Sequence, residues 1–250
     1  MPGLGFFVTT GLPMASLANA FAISNMMGKA IVLIQVASSI IAAAIVIGKN
    51  KELASIAASN KRFLREFLGG GDVLALYLAR KKMAMMALAL IYDRTCERLV
   101  KFLDPDMRRA VIGRHQGGQE RAALSASEIE LVRSTCEHVV MEEEIRVEYG
   151  MGLLATVVTV SPMLGLLGTV WGVLNAFASM GAQNTVQLSS IAPSISAALL
   201  TTVTGLLVAI PSAIFYNSLA GKIRQINNDM EGFADEITGR ITCEFKGGDY

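Results

Sequence analysis

The side chains of this sequence that could handle an ion are hydroxyls. Thr169 and Thr202 each sit inside a long uncharged, apolar stretch. A threonine hydroxyl donates and accepts a hydrogen bond, so it can solvate or relay a proton, but it does not hold a charge at neutral pH. Suppose residues 150–180 and 191–219 cross a membrane in opposite directions. Thr169 then stands about four residues past the middle of its span and Thr202 about three before the middle of the next, which puts both roughly 5 Å to the same side of the midplane. They would form one polar belt. The competing use of such a hydroxyl is to bond the carbonyl one turn back in its own helix, and Thr201 and Thr204 are read as including such cases.

From Tyr149 through Gly221 there is no Asp, Glu, Lys, Arg or His. Proton relays inside membranes ordinarily depend on such groups. If protons pass here, a partner helix must bring the titratable side chain, and the hydroxyls with water complete the path. Elsewhere no nucleophile and base pair suggests an enzyme. Cys96, Cys136 and Cys243 show no CxxC spacing and no clustered histidine, so neither a metal site, a disulfide framework nor a cofactor is expected. They read as reduced thiols facing the cytoplasm.

Helices in lipid associate through small residues, because lipid tails are as apolar as leucine and only close approach of backbones favours protein contact. Residues 150–180 supply Ser161, Gly165, Gly168, Gly172, Asn175 and Ser179 at spacings of four and three, with a GxxxG from Gly168 to Gly172. Residues 191–219 supply Ala198, Thr202, Gly205, Ala209 and Ser212 in the same rhythm. Two such faces suit either packing within one chain or repeated contacts between copies in a ring. Pro162 and Pro211 each remove a backbone donor and bend their helices, with close neighbours able to satisfy the freed carbonyls.

The elements that must hold these residues follow from composition. Apolar residues make up 52% of the 250-residue chain and charged residues only 17%. Every charged residue except Lys29 falls in one of two blocks, Lys49 to Glu148 and Lys222 to Asp249. The uncharged remainder could not be exposed to water at that length. Ala30 to Gly48 spans roughly 28 Å as a helix, close to the hydrocarbon thickness. The sequence therefore predicts an all-α integral membrane protein with three transmembrane helices. Its parts are an outer N-terminal segment 1–29, spans 30–48, 150–180 and 191–219, an inner helical domain 49–149, an outer turn 181–190 and an inner tail 220–250.

Orientation comes from Lys49, Lys51, Lys61, Arg62 and Arg65 after the first span and Lys222 and Arg224 after the third, which mark those ends as cytoplasmic. Ala18-Asn19-Ala20 resembles a signal-peptidase site, yet no Lys or Arg precedes it, so cleavage is not expected. Residues 83–91 are apolar but too short to span a bilayer and are read as a buried helix of the inner domain. Ser125-Ala-Ser-Glu128 is a capping box opening a helix toward Gly150 that should run straight into the second span. Ile223, Ile226, Met230, Phe233, Ile237 and Ile241 recur at spacings of three and four, so the third span should continue as an amphipathic stalk. His115 and His138 read as solvated or packed residues, and Glu142, Glu143 and Glu144 as a solvated helix face. Trp171 suits either a subunit contact or an interfacial anchor. A net charge of +1 gives no basic face for nucleic acid.

The segment SPMLGLLGTVWGV, Ser161 to Val173, closely resembles the second-span motif of TolQ and ExbB, the three-span branch of the MotA/TolQ/ExbB proton channel family. IAPSISAALLTTVTGLLVAIPSAIFYN, Ile191 to Asn217, resembles that family's third-span motif, including Pro193, Gly205, Pro211 and Asn217. The likeness extends over about residues 120–245 and more weakly over the first span. It implies a pentameric ring of this chain in the bacterial inner membrane, around a dimer of a TolR/ExbD-like protein whose transmembrane Asp is protonatable. It further implies that the family's pore threonines correspond to Thr169 and Thr202. Ion flow would then drive a TolA- or TonB-like protein across the periplasm, in Tol-Pal function or TonB-dependent import.

One position departs from the pattern. Many members of the family carry Glu where this chain has Ala197. The path then works with Ser194, Thr201 and water, or the ion and its coupling differ; a ring that has lost conduction and serves as a scaffold is the other outcome. A flagellar-type stator would need a further span. A self-sufficient solute transporter lacks support in any inverted repeat or broken helix with a charged ligand.

Overall fold

The computed structural model describes residues 21–22, 24–69, 73–78, 87–103, 124–181 and 188–245. The chain is all-α, with helices α1 (Met26–Gly69), α2 (Ala75–Leu78), α3 (Ala87–Phe102), α4 (Ala126–Glu148), α5 (Met151–Gly181) and α6 (Leu188–Phe245), and no strand among the described residues. Three helices are long and apolar enough to cross a membrane: α1, α5 and the Ile191–Phe245 part of α6. α1 does not stop where its apolar stretch ends at Gly48, because no Gly or Pro occurs from Lys49 to Leu68 to break it. Residues 1–20 with the Ala-Asn-Ala segment, Gly70, Gly71, 83–86, His115 and 182–187 lie outside the described residues.

The chain divides into two compact units, residues 1–48 with 150–218 and residues 49–149 with 219–250. In the second unit α3 packs against α4. Ile223, Ile226, Met230, Phe233, Ile237 and Ile241 are all buried, so the spacing of three and four along α6 does line a core. Aromatic rings fill its centre: Phe63 lies 5.6 Å from Tyr92 and 5.5 Å from Phe233, and Phe67 lies 5.1 Å from Phe233, centroid to centroid. The Tyr92 hydroxyl donates to the Val73 carbonyl at 2.6 Å and accepts from the Tyr77 N–H at 3.0 Å. Burial pushes its ionisation far above the ordinary tyrosine range. Residues 87–91 of the apolar run open α3, with Ala87, Leu88, Ala89 and Ile91 buried.

α4 begins at the capping box read from sequence. The Ser125 side chain accepts from the Glu128 N–H, and the Glu128 carboxylate accepts from the Ser125 N–H at 2.8 Å. The far end differs from expectation, since α4 does not run straight on. Tyr149 caps it by donating its N–H to Arg146, and Gly150 takes φ +86° before α5 starts at Met151. That left-handed backbone is open to glycine at no steric cost, so the helix can end there without strain. Glu143 also departs from the solvated face assigned to it. It is buried on the stripe of Val139 and Val147, one turn to either side, and is met by Arg146 at 3.3 Å, whereas Glu142 is exposed.

Candidate functional site

Within the first unit α5 and α6 pack antiparallel through the faces that carry their smallest residues. A β-carbon on Gly165 would stand 2.9 Å from the Thr201 carbonyl oxygen, and one on Gly168 only 2.6 Å from the Thr201 β-carbon. One on Gly172 would meet the Ala198 α-carbon at 3.2 Å, and one on Gly205 the Ser161 carbonyl at 2.6 Å. No larger residue fits at Gly165 or Gly205, because the atom in the way is backbone. The buried stripe of α5 runs Ser161, Gly165, Gly168, Gly172, Ala176. Asn175 is only half-buried and Ser179 is exposed, since the stripe takes a step of four after Gly172. Pro162 is half-buried and Pro211 exposed.

This close approach gathers the hydroxyls. The Gly165 carbonyl lies 3.1 Å from the Thr169 hydroxyl, 3.0 Å from that of Thr201 and 3.0 Å from that of Thr202. A carbonyl oxygen has two lone pairs, and helix geometry already directs one N–H at it, so the three hydroxyls compete for it. Each has an alternative. Thr201 donates to the Ala198 carbonyl at 2.7 Å, Thr169 reaches the same oxygen at 3.3 Å, and the Thr169 and Thr202 hydroxyls bond each other. The cluster is a set of neutral groups whose protons can redistribute without moving the backbone. Thr169 and Thr202 are half-buried and so reach the open side of the helix pair, while Thr201 is sealed inside the crossing. Ser194 lies two turns before Thr202, about 12 Å along the axis, and takes no part in the cluster. Ala197 is buried.

Sequence reading passed over Gln35. It lies in the first apolar stretch of α1, is 0% exposed, and contacts both other helices. Its Nε2 donates to the Thr201 carbonyl at 3.1 Å and the Ser161 carbonyl at 3.3 Å, and its Oε1 accepts from the Thr204 hydroxyl. The signal that would have found it is the cost of placing an unpaired amide in hydrocarbon: a lone Gln in such a stretch needs partners on another helix. Thr204 also bonds back to Leu200 and Thr201, as assumed for it.

No Asp, Glu, Lys, Arg or His belongs to this site, because the sequence holds none from Tyr149 through Gly221 or from Ala30 through Gly48. The arrangement can solvate a cation or pass a proton between hydroxyls and carbonyls, and cannot store the charge itself. Among the described residues no group of three His, Cys, Asp or Glu side chains is arranged to hold a metal ion.

Residues 109–232, which include the whole hydroxyl cluster, match the model of the MotA/TolQ/ExbB proton channel family. The chain is 31% identical over 214 residues to the Tol-Pal system protein TolQ of Haemophilus influenzae, a match covering 83% of this chain and 86% of that protein. It is 38% identical over 98 residues to the Tol-Pal system protein TolQ of Pseudomonas aeruginosa, covering 39% and 42% of the two chains. With the biopolymer transport protein ExbB of Salmonella typhimurium it shares 46% identity over 74 residues, 30% of each.

Proposed function

This chain is a membrane protein of the MotA/TolQ/ExbB proton channel family, and from that premise we propose that it is the ring-forming subunit of a proton-driven inner-membrane motor. Copies of the chain, five in number by the family resemblance, surround a TolR/ExbD-like partner that supplies the titratable carboxyl group. The N-terminus lies in the periplasm and the C-terminus in the cytoplasm. The motor energises the outer envelope through a TolA- or TonB-like protein.

The observation that carries this reading is the Thr169–Thr202 pair, half-exposed in a segment with no charge of its own. Two hydroxyls on the open side of a helix pair form a hydrogen-bonding rung for a proton delivered by a neighbouring helix. A partner's carboxyl group would pick up and release that proton against the rung. Ser194 extends the path with water, and Thr201 supports it from behind. Ala197 leaves the third helix without a carboxylate of its own, which places the whole charge-carrying step on the partner.

The test is proton uptake by liposomes holding the chain with its co-purified partner, read with an internal pH dye. Flux that requires the partner and falls in Thr202→Val supports the motor. No flux in the native complex, with conduction appearing only in Ala197→Glu, would sink it in favour of a scaffold or of another ion.

A further inference from the structure

Gln35 uses both N–H donors and the oxygen of its amide within the membrane-spanning part of the chain. Its two N–H groups meet carbonyls on two different helices, and its oxygen receives a third group, the Thr204 hydroxyl. Only the NH2 end of the amide can face two carbonyls, so the network itself fixes the orientation. The two carbonyls are placed with consequence. Ser161 lies one turn before Gly165 on α5, and Thr201 immediately precedes Thr202 on α6. They are also the oxygens that press on Gly205 and Gly165 across the crossing. The amide therefore grips both backbones at the point of closest approach, within one turn of the hydroxyl cluster.

We propose that Gln35 is a positioning residue for ion passage: it clamps the α5–α6 crossing from α1 and thereby holds Thr169 and Thr202 in hydrogen-bond contact. This rests on the ion-conducting reading of that pair. The physical requirement is a donor. An apolar side chain of similar size fills the space but leaves both carbonyls ungripped and Thr204 with only its bonds back to Leu200 and Thr201. A carboxylic acid of the same shape donates one hydrogen bond when protonated, and when ionised it sets negative charge against two carbonyl oxygens. The amide satisfies both carbonyls at any pH.

The experiment measures proton flux per assembled ring in liposomes, with the co-purified partner, for the native chain, Gln35→Leu, Gln35→Glu and Thr202→Val from acid to alkaline pH. Gln35→Leu is expected to lower flux about tenfold, equivalent to about 1.4 kcal/mol on the barrier. Relative to native at each pH, Gln35→Glu is expected to conduct at acid pH and to fall away as pH rises and the substituted side chain ionises. A side chain that only stabilised the fold would change the yield of rings and leave flux per ring alone. Native-level flux per ring in Gln35→Leu, or a Gln35→Glu profile parallel to native, overturns the proposal; should Gln35→Leu not assemble, the Gln35→Glu profile decides. Native flux lost in Thr202→Val but kept in Gln35→Leu overturns this proposal alone, whereas absence of native flux overturns the ion-path reading and this one with it.

Discussion

Gly205 on α6 faces the Ser161 carbonyl of α5 so closely that a β-carbon at 205 would lie 2.6 Å from that oxygen and 2.9 Å from the Gln35 amide nitrogen. Both obstacles are held in place, one by the helix backbone and the other by its hydrogen bonds. Gly205→Ala should therefore force the helices apart and cost about 1–3 kcal/mol, as overpacking does in tight cores. A lower thermal midpoint in detergent, with the Gly221→Ala control not lowered because nothing lies within 4 Å of that helical site and Ala is the better helix former, would be the expected outcome.

On the proposed ion path it is the hydroxyl of Thr169, and not its volume, that would act. Thr169→Val keeps the shape and removes one of the three hydroxyls that compete for the Gly165 carbonyl. Its cost in stability should be small, about 0.6 kcal/mol, while proton flux falls about tenfold or more. Thr169→Ser restores the hydroxyl and should recover most of the flux. Equal flux in the native and Val forms would remove Thr169 from the path.

Tyr92 anchors the second unit through its hydroxyl as well as its ring. Tyr92→Phe preserves the contacts with Phe63 and Phe67 but leaves the Val73 carbonyl and the Tyr77 N–H without that partner. A loss of about 1–3 kcal/mol is expected for these stranded polar groups. Limited proteolysis near residues 73–78 should accelerate, and a cleavage rate equal to native would count against the anchor.

The α4 cap carries a pH dependence of defined sign. The Ser125 side chain, and then its backbone N–H, hold the Glu128 carboxyl below the ordinary glutamate range. A folded-state value below the unfolded one means that the stabilisation is fully present above the ordinary carboxylate range and is lost as pH falls through the lowered value. Ser125→Ala, which removes the N-cap at a cost of about 1 kcal/mol, should weaken the acid-side loss of helix stability. Thermal melts of native and variant between neutral and acid pH would show the two curves converging as pH falls.

What could be read from the chain alone was what local physics decides. The apolar stretches, the Ser125–Glu128 capping box and the core stripe from Ile223 to Ile241 depend on residues within a few turns of one another, so spacing carries them. The small-residue faces of α5 and α6 were visible for the same reason, as was the comparable depth of Thr169 and Thr202. Which residue closes such a face was not visible, because that depends on how far one helix is rotated against another. Ala176 and not Asn175 continues the stripe, Thr201 and not Thr202 is sealed in the crossing, and Glu143 turns inward between Val139 and Val147.

The break at Tyr149–Gly150 needed the backbone angle, since glycine permits a helix to end without requiring it. Gln35 marks the limit most clearly. A buried amide demands partners, and the sequence contains that demand, but its partners lie more than 100 residues away at Ser161, Thr201 and Thr204. Only the packing of three helices brings those groups to one point, and at that point the hydrogen-bonding pattern of the site is decided.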